Sequence, residues 1–133
     1  MANTKIVQAS GARKEAVARA TIKPGKGIIK VNGQLLENFS NRMSRLRISE
    51  PLVLAEDIVK KTDVSVKVNG GGVNGQADAI RLSIARALVE FDNKLEKTFN
   101  DYDRLLLVAD VRRKEVCKPN DSKARAKRQK SYR

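Results

Sequence analysis

Asp63-Val64-Ser65-Val66-Lys67-Val68-Asn69-Gly70-Gly71-Gly72-Val73-Asn74-Gly75-Gln76-Ala77-Asp78-Ala79-Ile80-Arg81 is the stretch on which the fold turns. Val64, Val66 and Val68 alternate with Ser65 and Lys67, the two-residue period of a strand with one buried face. Asn69 to Gly72 breaks that strand. From about Gly75 to Lys94 a long helix follows, in which Ala77, Ile80, Ile84, Ala87, Leu88 and Phe91 recur as one apolar stripe. A half-buried strand followed by a one-sided helix requires a sheet with helices laid against it.

The flanking sequence supplies the remaining layers. Thr4–Ala9 reads as a first strand and Glu15–Lys23 as a second. In the second, Ala16, Ala18, Ala20 and Ile22 share the inner face, and alanines this small predict a closely packed helix. Pro24-Gly25-Lys26-Gly27 is turn chemistry, so Ile28–Val31 is expected to return as a hairpin strand ending at Asn32-Gly33. Ser40 and Asn41 are helix-entry residues before Arg42, Arg45 and Arg47. Ser49-Glu50-Pro51 reads as the start of a second helix, Leu52–Lys60. A short helix around Asn100–Leu107 leads out. The order β-β-β-α-β-α predicts an α+β fold: a two-layer α/β sandwich, with a mostly antiparallel sheet of about four strands and helices on one face. Residues 1–111 form this domain, and residues 112–133 form an extended basic C-terminal arm.

Charge separates the two parts. The formal net charge is +13, but residues 48–111 carry −3, while residues 1–47 and 112–133 carry +8 each. A chain so far from neutrality repels itself unless it meets a polyanion. From Ser122 to Arg133 the only apolar side chains are Ala124, Ala126 and Tyr132. Such a segment cannot bury enough surface to offset its chain entropy, so it is expected to be disordered until phosphates neutralise it.

Enzyme chemistry finds no constellation. There is no His, one Cys (Cys117), no carboxylate pair with a recognisable partner and no nucleophile–base set, so no catalytic residue, metal site or cofactor is expected. The glycine run ends a strand and opens a helix, the setting in which backbone N–H groups attract phosphate. A nucleotide loop would end in Gly-Lys-Ser/Thr, whereas this one reads Gly75-Gln76-Ala77. That detail also argues against a small-molecule kinase, and a duplex-DNA binder lacks a groove-reading motif. Arg13 and Lys14 enter a strand and Arg19 lies on its outer face. With Lys5, Lys23, Lys26 and Lys30 they suggest a basic sheet edge, whose phosphate contacts would orient RNA without reading its sequence. Arg81 and Arg86 lie off the helical stripe and are expected to pair locally with Asp78 or Glu90. Residues 1–20 lack the apolar core of a signal peptide and no run approaches a membrane span, which predicts a cytoplasmic protein with neither a membrane nor a small-molecule partner.

Three segments carry a more specific likeness: Gly11-Ala12-Arg13-Lys14-Glu15-Ala16-Val17-Ala18-Arg19-Ala20; Gly70 to Arg81 continuing through Ile84-Ala85-Arg86-Ala87-Leu88; and Lys123 to Arg133. In this order they closely resemble the family of the ninth protein of the small ribosomal subunit, over essentially the whole chain. The ending Gln129-Lys130-Ser131-Tyr132-Arg133 is similar to the archaeal and eukaryotic branch, and the compact length to the archaeal one.

That resemblance implies a left-handed βαβ crossover. It also implies a non-catalytic, structural place in the head of the small subunit, on its rRNA and beside neighbouring head proteins. The arm is implied to thread through RNA to the peptidyl-site tRNA. Carried onto this chain, it makes Lys127, Arg128, Lys130 and Arg133 the tRNA-proximal residues. Arg13, Lys14, Arg19, Arg112, Arg113, Lys114, Lys118, Lys123 and Arg125 become the rRNA-binding ones.

Overall fold

The computed structural model describes residues 5–39, 41–120 and 123–126. Five strands form one sheet in the order β1-β2-β5-β3-β4. They are β1 (Val7–Arg13), β2 (Ala16–Pro24), β3 (Ile29–Val31), β4 (Gln34–Leu35) and β5 (Thr62–Asn69). The helices are α1 (Arg42–Leu54), α2 (Glu56–Val59), α3 (Val73–Phe91) and α4 (Leu95–Tyr102), followed by a 3₁₀ turn at Arg104–Leu106.

Strand parity decides the faces. Ala16, Ala18, Ala20 and Ile22 of β2 and Thr62, Val64, Val66 and Val68 of β5 are all buried, while Arg19, Lys23, Ser65 and Lys67 between them are exposed. Helices therefore cover one face only, and the other stays open to solvent. The alanines let α3 approach closely, and Gly11 on β1 marks the tightest point. A Cβ there would stand 2.7 Å from the Ser83 nitrogen and 2.8 Å from the Ala79 oxygen, backbone atoms that cannot move aside. Burial on α3 is wider than the predicted stripe, reaching Ala79, Leu82, Ser83 and Ala85, because α1, α4 and the 3₁₀ turn cover its other flank. Phe91, at its end, is only half-buried.

The Ile28–Val31 hairpin with the second strand does not form. β5 inserts between them, pairing antiparallel with β2 from Val17↔Asn69 to Pro24↔Thr62 and parallel with β3 from Ile29↔Val64 to Val31↔Val66. The β2–β5 ladder joins eight residue pairs, whereas three-residue β3 could have offered β2 far fewer. β3, α1 and β5 thus make a parallel crossover. Asn32, at φ 52°, lengthens its short first strand: the Val68 N–H donates to Asn32 Oδ1 at 2.9 Å, and Asn32 Nδ2 donates to the Val68 carbonyl at 3.3 Å.

The helix break expected at Ser49 lies instead at Ala55, between α1 and α2, and α2 takes up the end of the expected Leu52–Lys60 span. Asn41 caps α1, its Oδ1 accepting from the Ser44 N–H at 2.9 Å, and the helix runs through Pro51 to Leu54. Pro51 sits in the last turns, where it removes a single N–H, and the burial of Ile48, Pro51 and Leu52 outweighs that loss. The helix expected over 100–107 is displaced towards the N-terminus as α4, and Phe99 and Leu106 close the core beneath it, both at 0% exposure.

Candidate nucleic-acid interface

After α4 the chain is fastened to the domain by arginines. Arg81, on α3, reaches Glu50 of α1 and Asp103, the latter at 3.0 Å. Asp103 in turn accepts from the Leu105 N–H at 3.0 Å, which shapes the 3₁₀ turn. Arg86 donates from Nε to the Leu107 carbonyl at 3.0 Å and from Nη1 to the Ser10 carbonyl at 3.1 Å. Both side chains are structural, as expected, but they bind across the fold rather than to Asp78 or Glu90. The tertiary packing brings partners 21 or more residues away within reach, and these displace the local ones.

Arg13 is the next fastening. Positions 7, 9, 11 and 13 of β1 share the helix-facing parity, so its side chain points towards α3 and is only 12% exposed. Its Nε lies 3.7 Å from Asp78 and 3.5 Å from Asp110, and its Nη1 donates to the Arg112 carbonyl at 3.3 Å. Asp110 also takes paired hydrogen bonds from Arg112, the Nη2 bond being 2.7 Å. Those bonds, with the Arg112 backbone N–H, hold its carboxyl far below the usual carboxylate range. Arg113 donates to the Lys14 carbonyl at 2.8 Å. The segment from Asp103 to Arg113 is therefore tied down, though it contains almost no regular structure.

This places the start of the arm beside the glycine turn. Lys14, at φ 55°, and Gly71 to Gly75 line a cavity of about 810 Å³ with Arg112, Arg113 and Lys114. The α3 N-terminus opens into it with no side-chain cap at Gly72, and the Gln76 side chain folds back onto the Gly70 carbonyl at 3.1 Å. Uncapped helix N–H groups and flanking cations, which outnumber the one acidic lining residue, Glu15, give this cavity the character of a phosphate position.

The predicted site residues divide accordingly. Lys14, Arg112, Arg113 and Lys114 gather at the cavity. Arg13 touches its rim but gives its charge to Asp78 and Asp110. Arg19 stands apart, on the open sheet face. Residues 111–120 are all exposed and form neither helix nor strand. Glu115 lies 3.9 Å from Lys118 and 2.7 Å from Arg125. Lys123 is exposed. Lys127, Arg128, Lys130 and Arg133, the expected tRNA residues, lie outside the described residues, as does Ser40. Of the expected basic sheet edge, Lys5 instead caps the α3 C-terminus, donating to the Glu90 and Phe91 carbonyls. Arg19, Lys23 and Lys30 lie not along an edge but on the open sheet face, with Lys67, which faces outward by strand parity, while Lys26 lies in the turn after β2. No described helix is long and apolar enough to cross a membrane.

The profile of the family described as ribosomal protein S9/S16 matches residues 11–133. Small ribosomal subunit protein uS9 of Thermoplasma volcanium is 56% identical over 126 residues, covering 93% of this chain and 96% of that protein. Its counterpart in Thermoplasma acidophilum is 54% identical, covering 93% and 98%, and that of Pyrobaculum aerophilum is 47% identical over 131 residues, covering 97% and 92%.

Proposed function

The chain belongs to the ribosomal protein S9/S16 family, and from that premise we propose that it binds small-subunit rRNA with its arm root and arm and reaches peptidyl-site tRNA with the arm's end. Its role is structural rather than enzymatic, as a component of the small subunit in the cytoplasm. One observation supports the reading above others: a wholly exposed basic segment leaves the domain from a fastened root, beside an uncapped helix N-terminus.

The division of labour follows from the physics. The folded body fixes position, and a chain with no packed side chains can follow a channel too narrow for a helix. Lys14, Arg112, Arg113 and Lys114 meet rRNA phosphate at the root, with Arg19, Lys118, Lys123 and Arg125 as further contacts. Arg13 serves by holding the root in place. Lys127, Arg128, Lys130 and Arg133 are the tRNA-proximal residues. Met43, Leu46 and Val53, exposed on α1, offer apolar surface to a neighbouring head protein.

Each phosphate neutralised releases counterions. With about eight contacts, affinity for rRNA falls by roughly 10³–10⁵ between 50 and 200 mM salt. The deciding experiment deletes Lys130–Arg133 and measures tRNA dissociation from purified subunits. Assembly stays near normal and tRNA leaves faster. Unchanged dissociation refutes the tRNA contact and leaves rRNA binding standing.

A further inference from the structure

β1 is an edge strand of seven residues, paired on one side only. Its ladder with β2 closes at Arg13↔Ala16 around the two-residue turn Lys14-Glu15, so that closing pair is hydrogen-bonded and the bonded pairs alternate from there. The N–H and C=O groups of Gln8, Ser10 and Ala12 therefore point away from β2. Among the described residues these three N–H groups find no acceptor outside the sheet ladder. A row of outward backbone groups is a template for another strand. The opposite edge, β4, is two residues long and offers far less.

The β1 edge is covered by Leu107–Arg113, laid along it in the same direction. Leu107 stands opposite Ser10, Asp110 and the Arg112 carbonyl opposite Arg13, and Arg113 opposite Lys14. Among the described residues no backbone hydrogen bond joins the segment to the strand. Arg86 stands between them, its one guanidinium binding both the Leu107 and the Ser10 carbonyls, and so spaces the two chains too far apart to pair. Beyond Leu106 no side chain of the segment is fully buried, and the cavity of about 430 Å³ beneath it is lined by charged groups, among them Arg47, Glu50, Asp78 and Arg81. Guanidinium contacts rather than packing hold the segment, so it can lift while the core stays intact.

We propose that Leu107–Arg113 is a removable strap that keeps the free protein monomeric: once it lifts, β1 pairs antiparallel with the β1 of a second copy. A twofold axis near Ser10 then joins two five-stranded sheets into one. A second copy fits because an edge strand is complementary to itself under twofold rotation. Ala9, Ser10, Gly11 and Ala12 carry side chains small enough for a close approach. The strap acts without RNA and does not depend on the rRNA reading.

The test is sedimentation of the full chain, free of RNA, at about 1 M salt, where a Debye length of about 3 Å screens the repulsion between two chains of formal net charge +13. Wild type stays monomeric. Arg86→Met keeps an aliphatic stem but gives up both carbonyl bonds, which raises the open fraction of the strap about tenfold or more. Amide exchange at Val108 and Arg112 quickens and, because both copies must open, dimerisation strengthens about a hundredfold. Adding Ser10→Pro removes one outward N–H without touching the β1–β2 ladder, and restores the monomer. Arg13→Gln with Asp110→Asn, which frees the other end of the strap, stands in if Arg86→Met does not fold. Faster strap exchange without dimers overturns the proposal, as do unchanged exchange and dimers that Ser10→Pro leaves intact.

Discussion

Leu106 is the side chain on which the arm's departure depends, and its truncation to alanine should be costly. It is fully buried in a 3₁₀ turn of three residues, wedged over α3. Leu106→Ala removes three carbons, worth about 2.4 kcal/mol at roughly 0.8 kcal/mol per buried methylene. The cavity left behind adds to this, but a short turn at the margin of the core can partly settle into it. The total is therefore about 3 kcal/mol, near the lower end for such substitutions. That is a large share of the ~5–15 kcal/mol available to a domain, and it corresponds to a drop in Tm of roughly 10 °C. The loss should also be uneven. Asp103 and Leu107, held by Arg81 and Arg86, flank the leucine, so amide exchange should accelerate from Leu105 to Val108 more than in β2 or β5. Urea unfolding and native-state hydrogen exchange on the same protein measure both quantities. A loss under about 1 kcal/mol with no local acceleration would refute the claim that this turn anchors the arm.

Gly11→Val drives a branched side chain into the α3 backbone at Ser83 and Ala79 and should cost at least about 1–3 kcal/mol, visible as a lowered urea midpoint with an unchanged slope. Asp63 and Asp110 both titrate below their ordinary value in the folded chain. Their contribution is thus complete above the unfolded value of about 4 and is lost as pH falls below it towards the folded values. The protection of the Arg112 amide, corrected for intrinsic exchange, should fall on acidification below about pH 4, and Asp110→Asn should remove that dependence. Arg13→Gln should lower Tm while leaving the salt slope of rRNA binding as in the wild type. Lys114→Gln should leave Tm alone and make the slope shallower by about one contact; reversal of these two patterns would exchange the roles assigned to them.

Much of the fold was legible because burial imposes a period on sequence. The alternations in β2 and β5 and the stripe on α3 each announce which face is inward, and all three are buried as read except Phe91 at the end of the stripe. The charge map was equally legible, since it needs only composition: a near-neutral middle and two strongly basic ends. Pro51 misled because propensity near a helix end is a small term beside the burial of Ile48, Pro51 and Leu52. The hairpin at Gly25 misled because adjacency in sequence says nothing about a later strand inserting between two earlier ones.

What the sequence by itself determined, then, is which residues face inward and where cations concentrate, since both follow from each residue's own chemistry and its nearest neighbours. Tertiary structure alone decided which cations are free to meet RNA. Arg13, Arg81 and Arg86 are consumed by carboxylates and carbonyls from distant segments, while Arg19 and Lys67 are set side by side with no ion-pair partner among the described residues. A guanidinium's availability depends on what lies within a few ångströms of it. That distance is set by strand order and helix packing, which no local pattern encodes.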